Sequence, residues 1–330
     1  MSNKAENRTR CLTPELFMAL KDGVLKPLVS TVKKDKDLIM CFRGQYLNVY
    51  YMGHSLFKIE QQSRGYKISF NFNHARYTED WEGQLKKLID IGYHLHQENK
   101  LKFPCRDEGK IKQYENYIAL TVPLSNIPSD NFWSESVVIL KELICDFFDP
   151  NKREDYFKRR NALPQNNKAN LLEKQRQQQI MIANQTFTAG YYIFDMEYAQ
   201  ARNNRNENGP HGRFDMLALR YDNRSETYNL VYLELKSTKD ACTGACDIQR
   251  HYTDLTVYQG DENYTNVRKN DAVKICNQYS MLFCNRPEEI TISENEAELL
   301  FVFTDGAIPY AEKIADEKEK IILGGNSFKL

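Results

Sequence analysis

Three charged residues lie inside two apolar, strand-like segments of the chain. The segment GRFDMLAL (212–219) carries Asp215, and the segment YNLVYLELKST (228–238) carries Glu234 and Lys236. A buried carboxylate is costly unless a cation pairs with it. Side chains alternate along a strand with a period of two, so Glu234 and Lys236 are expected on one face. Two carboxylates and an ammonium group can hold a divalent metal and activate water, which is the chemistry of a metal-dependent phosphodiester hydrolase.

The elements predicted around these segments follow the order α-β-β-β-α-β, which favours a mixed sheet flanked by helices. A polar helix containing Glu173 comes first, and a helix from near Ala245 carries Gln249 and Tyr252 about one turn apart. The predicted ranges are helices over 168–183, 245 onward and 267–283, and strands over 191–198, 212–219, 228–238 and 299–304.

Residues 165–306 resemble the PD-(D/E)xK nuclease superfamily, which has a restriction-endonuclease-like fold. Phe214-Asp215-Met216-Leu217 is similar to the Asp motif, with Phe214 where the family name has proline, and Glu234-Leu235-Lys236 is similar to the (D/E)xK motif. Gln249 and Tyr252 resemble the substrate-binding Gln…Tyr helix motif of the RecB-like and lambda-exonuclease-like branch. Their separation is three positions rather than four, and both separations keep two residues on one helix face.

The resemblance implies a role for each matching residue. Asp215, Glu234 and the backbone carbonyl of Leu235 would bind Mg²⁺ or Mn²⁺, which prefer hard oxygen ligands. Lys236 would orient and help deprotonate the attacking water, or stabilise charge at the scissile phosphate. Glu173 would reach the metal through water. From the residues alone, Glu173 is equally explained as a solvated glutamate on a polar helix.

The function implied is that of a metal-dependent nuclease that hydrolyses phosphodiester bonds, with DNA favoured over RNA on superfamily grounds alone. By analogy, a prokaryotic defence or mobile-element context is expected. The alternative is a catalytically inactive nuclease-fold protein that binds nucleic acid or regulates a partner. A third interpretation is a different hydrolase or a structural interaction protein in which Glu-Leu-Lys is accidental, an ordinary Glu–Lys pair on an exposed strand end. Glu197, His211 and His251 are further candidates, although most lone histidines and surface glutamates have no such role.

The N-terminal half predicts a separate α+β domain. A helix is expected over 14–20, an antiparallel β-meander over 38–72, and helices over 81–98 and 134–148. A polar, proline-containing stretch then marks a boundary. The expected organisation is an N-terminal recognition or interaction domain, which contacts a partner protein or a second copy of the chain, then a linker and a nuclease-like domain. Their ranges are 1–150, 151–166 and 167–330.

Composition places few limits on the function. The 330 residues contain 45 Lys+Arg and 45 Asp+Glu, which does not favour a general polyanion binder. No run approaches the roughly 20 apolar residues of a membrane span, and the first residues lack a signal-peptide pattern, so we expect no membrane association and a cytoplasmic protein. Eight cysteines are present. Free thiols are favoured, and an iron–sulfur cluster on four of them is the alternative. Those four are Cys242, Cys246, Cys276 and Cys284.

Overall fold

The computed structural model shows an α+β protein with two β-sheets. The chain folds into two compact units. The first comprises residues 14–40 and 45–166, and the second comprises residues 1–13, 41–44 and 167–330. In the described part of the chain, no helix has the length and apolarity needed to cross a membrane. The structure describes residues 9–101, 114–123, 130–159, 168–186, 190–200, 212–243, 248–260, 262–284, 290–313, 319–325 and 327–330.

The first unit is built on a six-stranded sheet with the order β1-β2-β3-β4-β6-β5. Strands β2 to β6 pair antiparallel where register is defined. The elements in chain order are α1 (Pro14–Lys21), α2 (Lys26–Lys34), β1 (Ile39–Phe42), β2 (Tyr46–Tyr51), β3 (His54–Gln62), β4 (Gly65–Asn71), α3 (Trp81–Asp90), β5 (His94–Leu101), β6 (Tyr114–Pro123), α4 (Asp130–Phe148) and α5 (Pro150–Arg159).

The expected β-meander is confirmed as strands β1 to β4. Met52 and Gly53 join β2 to β3, and both have positive φ, 49° and 75°. A two-residue turn of that type matches the twist of the strands it connects. Helix α4 is confirmed and buries Trp133, Leu140 and other apolar side chains.

One expectation for this unit is wrong. The helix expected over 81–98 ends at Asp90, because Gly92 adopts a φ of 115° and the chain continues as strand β5. Strands β5 and β6 were not expected. In addition, α5 occupies the first part of the segment that the sequence marks as a linker. Residues 160–167, which include its Leu-Pro breaker, lie outside the described residues.

The second unit is built on a mixed five-stranded sheet with the order β11-β10-β9-β8-β7. Its elements are α6 (Lys168–Ala183), β7 (Tyr191–Gln200), β8 (Gly212–Asp222), β9 (Thr227–Lys236), α7 (Ile248–Gln259), α8 (Glu262–Phe283), β10 (Glu298–Thr304) and β11 (Lys320–Leu323). This agrees with the expected order, with β11 as an additional edge strand.

Strand β9 has a different kind of neighbour on each side. It pairs antiparallel with β8 and parallel with β10. Helices α7 and α8 form the crossover that a parallel β9–β10 pair requires. Every residue of β9 after Thr227 is buried, as expected for a central strand. Helix α6 packs against β7, β8 and β9.

Two N-terminal segments belong to the second unit, whereas the sequence places them in the first domain. The Gly44 amide donates to the Arg10 carbonyl at 3.1 Å, and the Thr13 amide donates to the Gly44 carbonyl at 3.3 Å. The side chains of Arg10 and Arg43 both pair with Asp195 on β7. The Phe42 ring stacks on Tyr279 of α8 with centroids 4.1 Å apart. These contacts join positions distant in sequence, which no local pattern predicts.

Candidate active site

The β8–β9 hairpin ends where the expected catalytic residues begin. Its ladder runs from Asp222↔Thr227 to Met216↔Leu233, so Asp215 and Glu234 come directly after the last pair. Beyond that point β9 remains paired with β10, through Lys236↔Phe303. The Leu235 amide, which no longer faces a strand partner in β8, donates to Oδ2 of Asp215 at 2.8 Å. The Asp215 side chain thus takes the place of the ladder.

Asp215 is 5% exposed and accepts a second hydrogen bond, at 2.7 Å, from Nε2 of Gln177 on α6. Burial raises the pKa of Asp215 well above its ordinary value, and the negative charges of Glu234 and Glu173 raise it further. The Leu235 amide and the Lys236 charge oppose this rise without reversing it. The positive charge around Asp215 is therefore too small to offset the cost of ionising this buried carboxyl group.

Glu234, Lys236 and His251 form a closed triangle of polar atoms. Oε1 of Glu234 lies 3.0 Å from Nζ of Lys236 and 2.9 Å from Nε2 of His251, and the two nitrogens are 3.1 Å apart. Burial is the largest influence on the pKa of Glu234 and raises it. The hydrogen bond from His251 and the charge of Lys236 outweigh burial, so the pKa lies below its ordinary value. Glu234 is accordingly the ionised carboxylate of the pair.

Several buried polar atoms of the triangle, of helix α6 and of the ends of β9 and β10 have no hydrogen-bond partner within the described part of the chain. They are Oε2 of Glu234, Nδ1 of His251, Oε1 of Gln177, Oγ of Ser237 and Oγ1 of Thr304. Native proteins pair nearly all such atoms, since an unmet buried polar group costs about 1–3 kcal/mol. The last two residues directly follow the final β9–β10 pair. Glu234, His251 and Gln177, whose side chains contact one another or Asp215, thus each keep one polar atom without a partner among the described residues.

Helix α6 contributes two residues to this region. Gln177 is fully buried and binds Asp215, whereas Glu173, one turn earlier, is half-buried and acts on Asp215 through its charge. Positions four apart share a helix face, so the same face carries both. The sequence singled out Glu173 but missed Gln177, which lies in the polar run QRQQQ and has no distinguishing local signal.

Of the three candidates on helix α7, only His251 reaches the triangle. Gln249 is exposed, and the Tyr252 hydroxyl donates to Glu319 while its ring lies 5.5 Å from Phe301. His251, between them, reaches Glu234 and Lys236. The sequence holds a usable signal for this: Ile248, His251 and Leu255 have the spacing of one apolar helix face, and all three are buried. A histidine on such a face needs a polar partner.

The residues present suit a hard divalent cation by their chemistry. Glu173 and Glu234 both raise the pKa of Asp215, and Oε2 of Glu234 is buried without a donor among the described residues. A cation among these carboxylates would relieve the repulsion and supply the missing partner. Across the described residues, however, no three His, Cys, Asp or Glu side chains already converge as a complete ligand set. Cys242, Cys276 and Cys284 are free thiols.

Three further candidates fall beyond the part of the chain that the structure describes. His211 and Cys246 lie outside the described residues, and so does the side chain of Glu197.

Comparison with known proteins adds no relative. No family model matches the chain. Neither a curated protein nor a solved structure gives a significant match. The class of protein therefore has to be argued from the fold and from the buried cluster.

Proposed function

We propose that the second unit is a metal-dependent nuclease and that its active site is the cluster around Asp215, Glu234 and Lys236. The observation that carries this proposal is a buried set of carboxylates with too few cations, in which Oε2 of Glu234 has no partner among the described residues. A structural ion pair at this depth is normally completed by hydrogen bonds. The residual negative charge and the resemblance of the two strand motifs support the same assignment.

Asp215 and Glu234 would hold Mg²⁺ or Mn²⁺ together with the Leu235 carbonyl. The negative charge of Glu173 acts on Asp215 and would add to the attraction for the ion. When bound, such an ion lowers the pKa of water and neutralises charge on phosphoryl oxygens. The residues of the chain itself position the metal-binding carboxylates and a cationic side chain. Gln177 and the Leu235 amide fix the Asp215 carboxylate, while Lys236 places a cationic group beside Glu234.

Lys236 is the residue best placed to act on the reacting water or on the scissile phosphate. It is 1% exposed and sits on the buried strand β9, so its ammonium position is fixed by packing. A positioned acid–base group contributes about 10²–10⁴-fold to rate. The proposed substrate is nucleic acid, with DNA favoured over RNA, in the cytoplasm. A prokaryotic defence or mobile-element role and a recognition role for the first unit are part of the same proposal.

The test is a cleavage assay on circular and linear DNA and on RNA, with Mg²⁺, Mn²⁺ or EDTA. Asp215→Asn keeps an acceptor for the Leu235 amide but removes the charge. This substitution should lower the cleavage rate by about 10³-fold or more, because it removes several kcal/mol of transition-state stabilisation. Lys236→Met should lose about 10²–10⁴-fold. Asp240→Asn and Lys239→Met are matched controls, since both residues are exposed a few positions further along.

Full cleavage by Asp215→Asn, or equal losses in the exposed controls, would contradict the assignment. The competing function is a nucleic-acid-binding or regulatory protein without turnover, which is compatible with the closed contact between Glu234, Lys236 and His251. Nucleic-acid binding without cleavage in either metal, with no loss of the free-Mn²⁺ signal in a spin-resonance titration, would establish that function instead.

A further inference from the structure

His251 has no assigned role in the two strand motifs, yet it makes the shortest contact to Glu234 within the triangle. Its Nε2 lies 2.9 Å from Oε1 of Glu234, and its side chain is 8% exposed. An ionised carboxylate only accepts hydrogen bonds. Nζ of Lys236 donates to Oε1 of Glu234, and we assign Nε2 of His251 as the second donor to the same oxygen, so that the 3.1 Å between the two nitrogens is a contact and not a hydrogen bond.

Both donors converge on the same oxygen of Glu234. Oε1 receives His251 and Lys236, whereas Oε2 is buried and has no partner in the described part of the chain. A carboxylate with one oxygen fixed by two donors cannot rotate without breaking both bonds. Its second oxygen is thus held at a defined position.

We propose that His251 is a positioning residue that presents Oε2 of Glu234 to the divalent cation, an inference that rests on the proposed nuclease function. Ligating carboxylates in metal sites are oriented in this way by hydrogen bonds from residues that do not touch the metal. The rings of Phe214 and Phe301, with centroids 6.2 Å from the imidazole, line its position on α7 and limit its reorientation. His251 also lies 3.1 Å from Lys236, so it bounds the space that the ammonium can occupy.

A histidine that merely fills the core would have a different consequence when replaced. Its loss would lower stability but leave the affinity of the folded protein for metal unchanged. A positioning histidine controls metal affinity itself, and a side chain that places a donor near the position of Nε2 restores it. Glutamine does this through its own Nε2, whereas leucine has a similar size and no donor.

The experiment is a Mn²⁺ titration of the full chain, followed by electron spin resonance of free Mn²⁺, on wild type, His251→Gln and His251→Leu. Thermal unfolding in EDTA confirms that each variant is folded. We expect His251→Leu to weaken Mn²⁺ binding by about 10- to 100-fold and His251→Gln to recover most of it. In cleavage assays, the Leu variant should regain much of its rate at saturating Mn²⁺, because the chemistry residues remain.

Equal Mn²⁺ affinity in wild type and a folded His251→Leu would overturn the inference and leave the nuclease proposal standing. An absence of Mn²⁺ binding in wild type would overturn both. If His251→Leu does not fold, His251→Asn replaces it, since its shorter amide falls short of Oε1. Wild-type affinity in that variant would equally overturn the role. Arg250→Gln, at the exposed neighbouring position, is the control and should bind Mn²⁺ as wild type does.

Discussion

Two clusters of buried charge lie in the second unit, and they differ in how completely their carboxylate oxygens are paired. Asp195 on β7 is 2% exposed and pairs with Arg43 through Oδ1 and with Arg10 through Oδ2. Its Oδ1 also accepts the Met196 amide at 2.8 Å. Glu234, in contrast, has both of its donors on Oε1 and none on Oε2 among the described residues.

The difference separates a structural ion cluster from a functional one. The Asp195 cluster has two cations for one carboxylate and joins the segments 9–13 and 41–44 to the sheet. Beside Glu234, burial raises the pKa of Asp215, the negative charges of Glu234 and Glu173 raise it further, and the charge of Lys236 does not reverse this rise. Folding alone does not require a shortage of positive charge, because an uncompensated buried charge is destabilising. A bound cation would compensate the excess negative charge around Glu234 and Asp215.

The largest expected effect on stability comes from breaking the complete cluster. Asp195→Asn leaves two buried guanidinium groups without their counter-charge and should destabilise the second unit by about 3–5 kcal/mol. Calorimetric unfolding measures this, with Asp240→Asn as the exposed control. A change below about 1 kcal/mol, the size typical of exposed ion pairs, would mean that Asp195 is not a structural anchor.

Metal should stabilise the incomplete cluster by a smaller amount. Mn²⁺ at 100 times its dissociation constant should add about 2.7 kcal/mol to the free energy of unfolding of wild type, because it binds only the folded state. The gain should be absent in Asp215→Asn. Thermal melts with and without Mn²⁺ provide the measurement. An identical gain in both proteins would show that the ion binds elsewhere.

The smallest effect distinguishes the two carboxylates of the incomplete cluster in metal-free protein. The pKa of Asp215 is raised on folding, so its ionisation lowers stability as the pH rises above the unfolded value of 3.8. Asp215→Asn should therefore be more stable than wild type at pH 8, since a raised pKa is a free-energy cost of the charged form. The gap should close as the pH falls towards 4.

Glu234→Gln supplies the matched contrast. The pKa of Glu234 is lowered on folding, so its charge stabilises the protein above the unfolded value of 4.5, and this contribution disappears as the pH falls through the folded value. Glu234→Gln should thus be less stable than wild type at pH 8. Melts in EDTA from pH 8 to pH 4 measure both variants, and changes in stability of the same sign would contradict the contrast.

Local pattern was enough to predict much of the fold. Turn residues mark the meander β1 to β4, and the spacing of apolar side chains marks α4 and β10. Turns and amphipathic faces depend only on residues that are close in sequence. The helix expected over 81–98 was wrong for the same reason. Its apolar spacing continues past Gly92, whereas the strand β5 depends on pairing with β6, some 20 residues further along the chain.

By itself, the sequence determined that Asp215, Glu234 and Lys236 lie at the ends of adjacent apolar strands, since period-two alternation and hairpin distance are local properties. Tertiary structure alone decided which residues complete that cluster and the Asp195 cluster. His251 reaches Glu234 through a crossover, Gln177 reaches Asp215 from α6, and Arg10 and Arg43 reach Asp195 from the start of the chain. Such contacts depend on how distant elements pack, and the cost of burying charge selects the partners that are brought together.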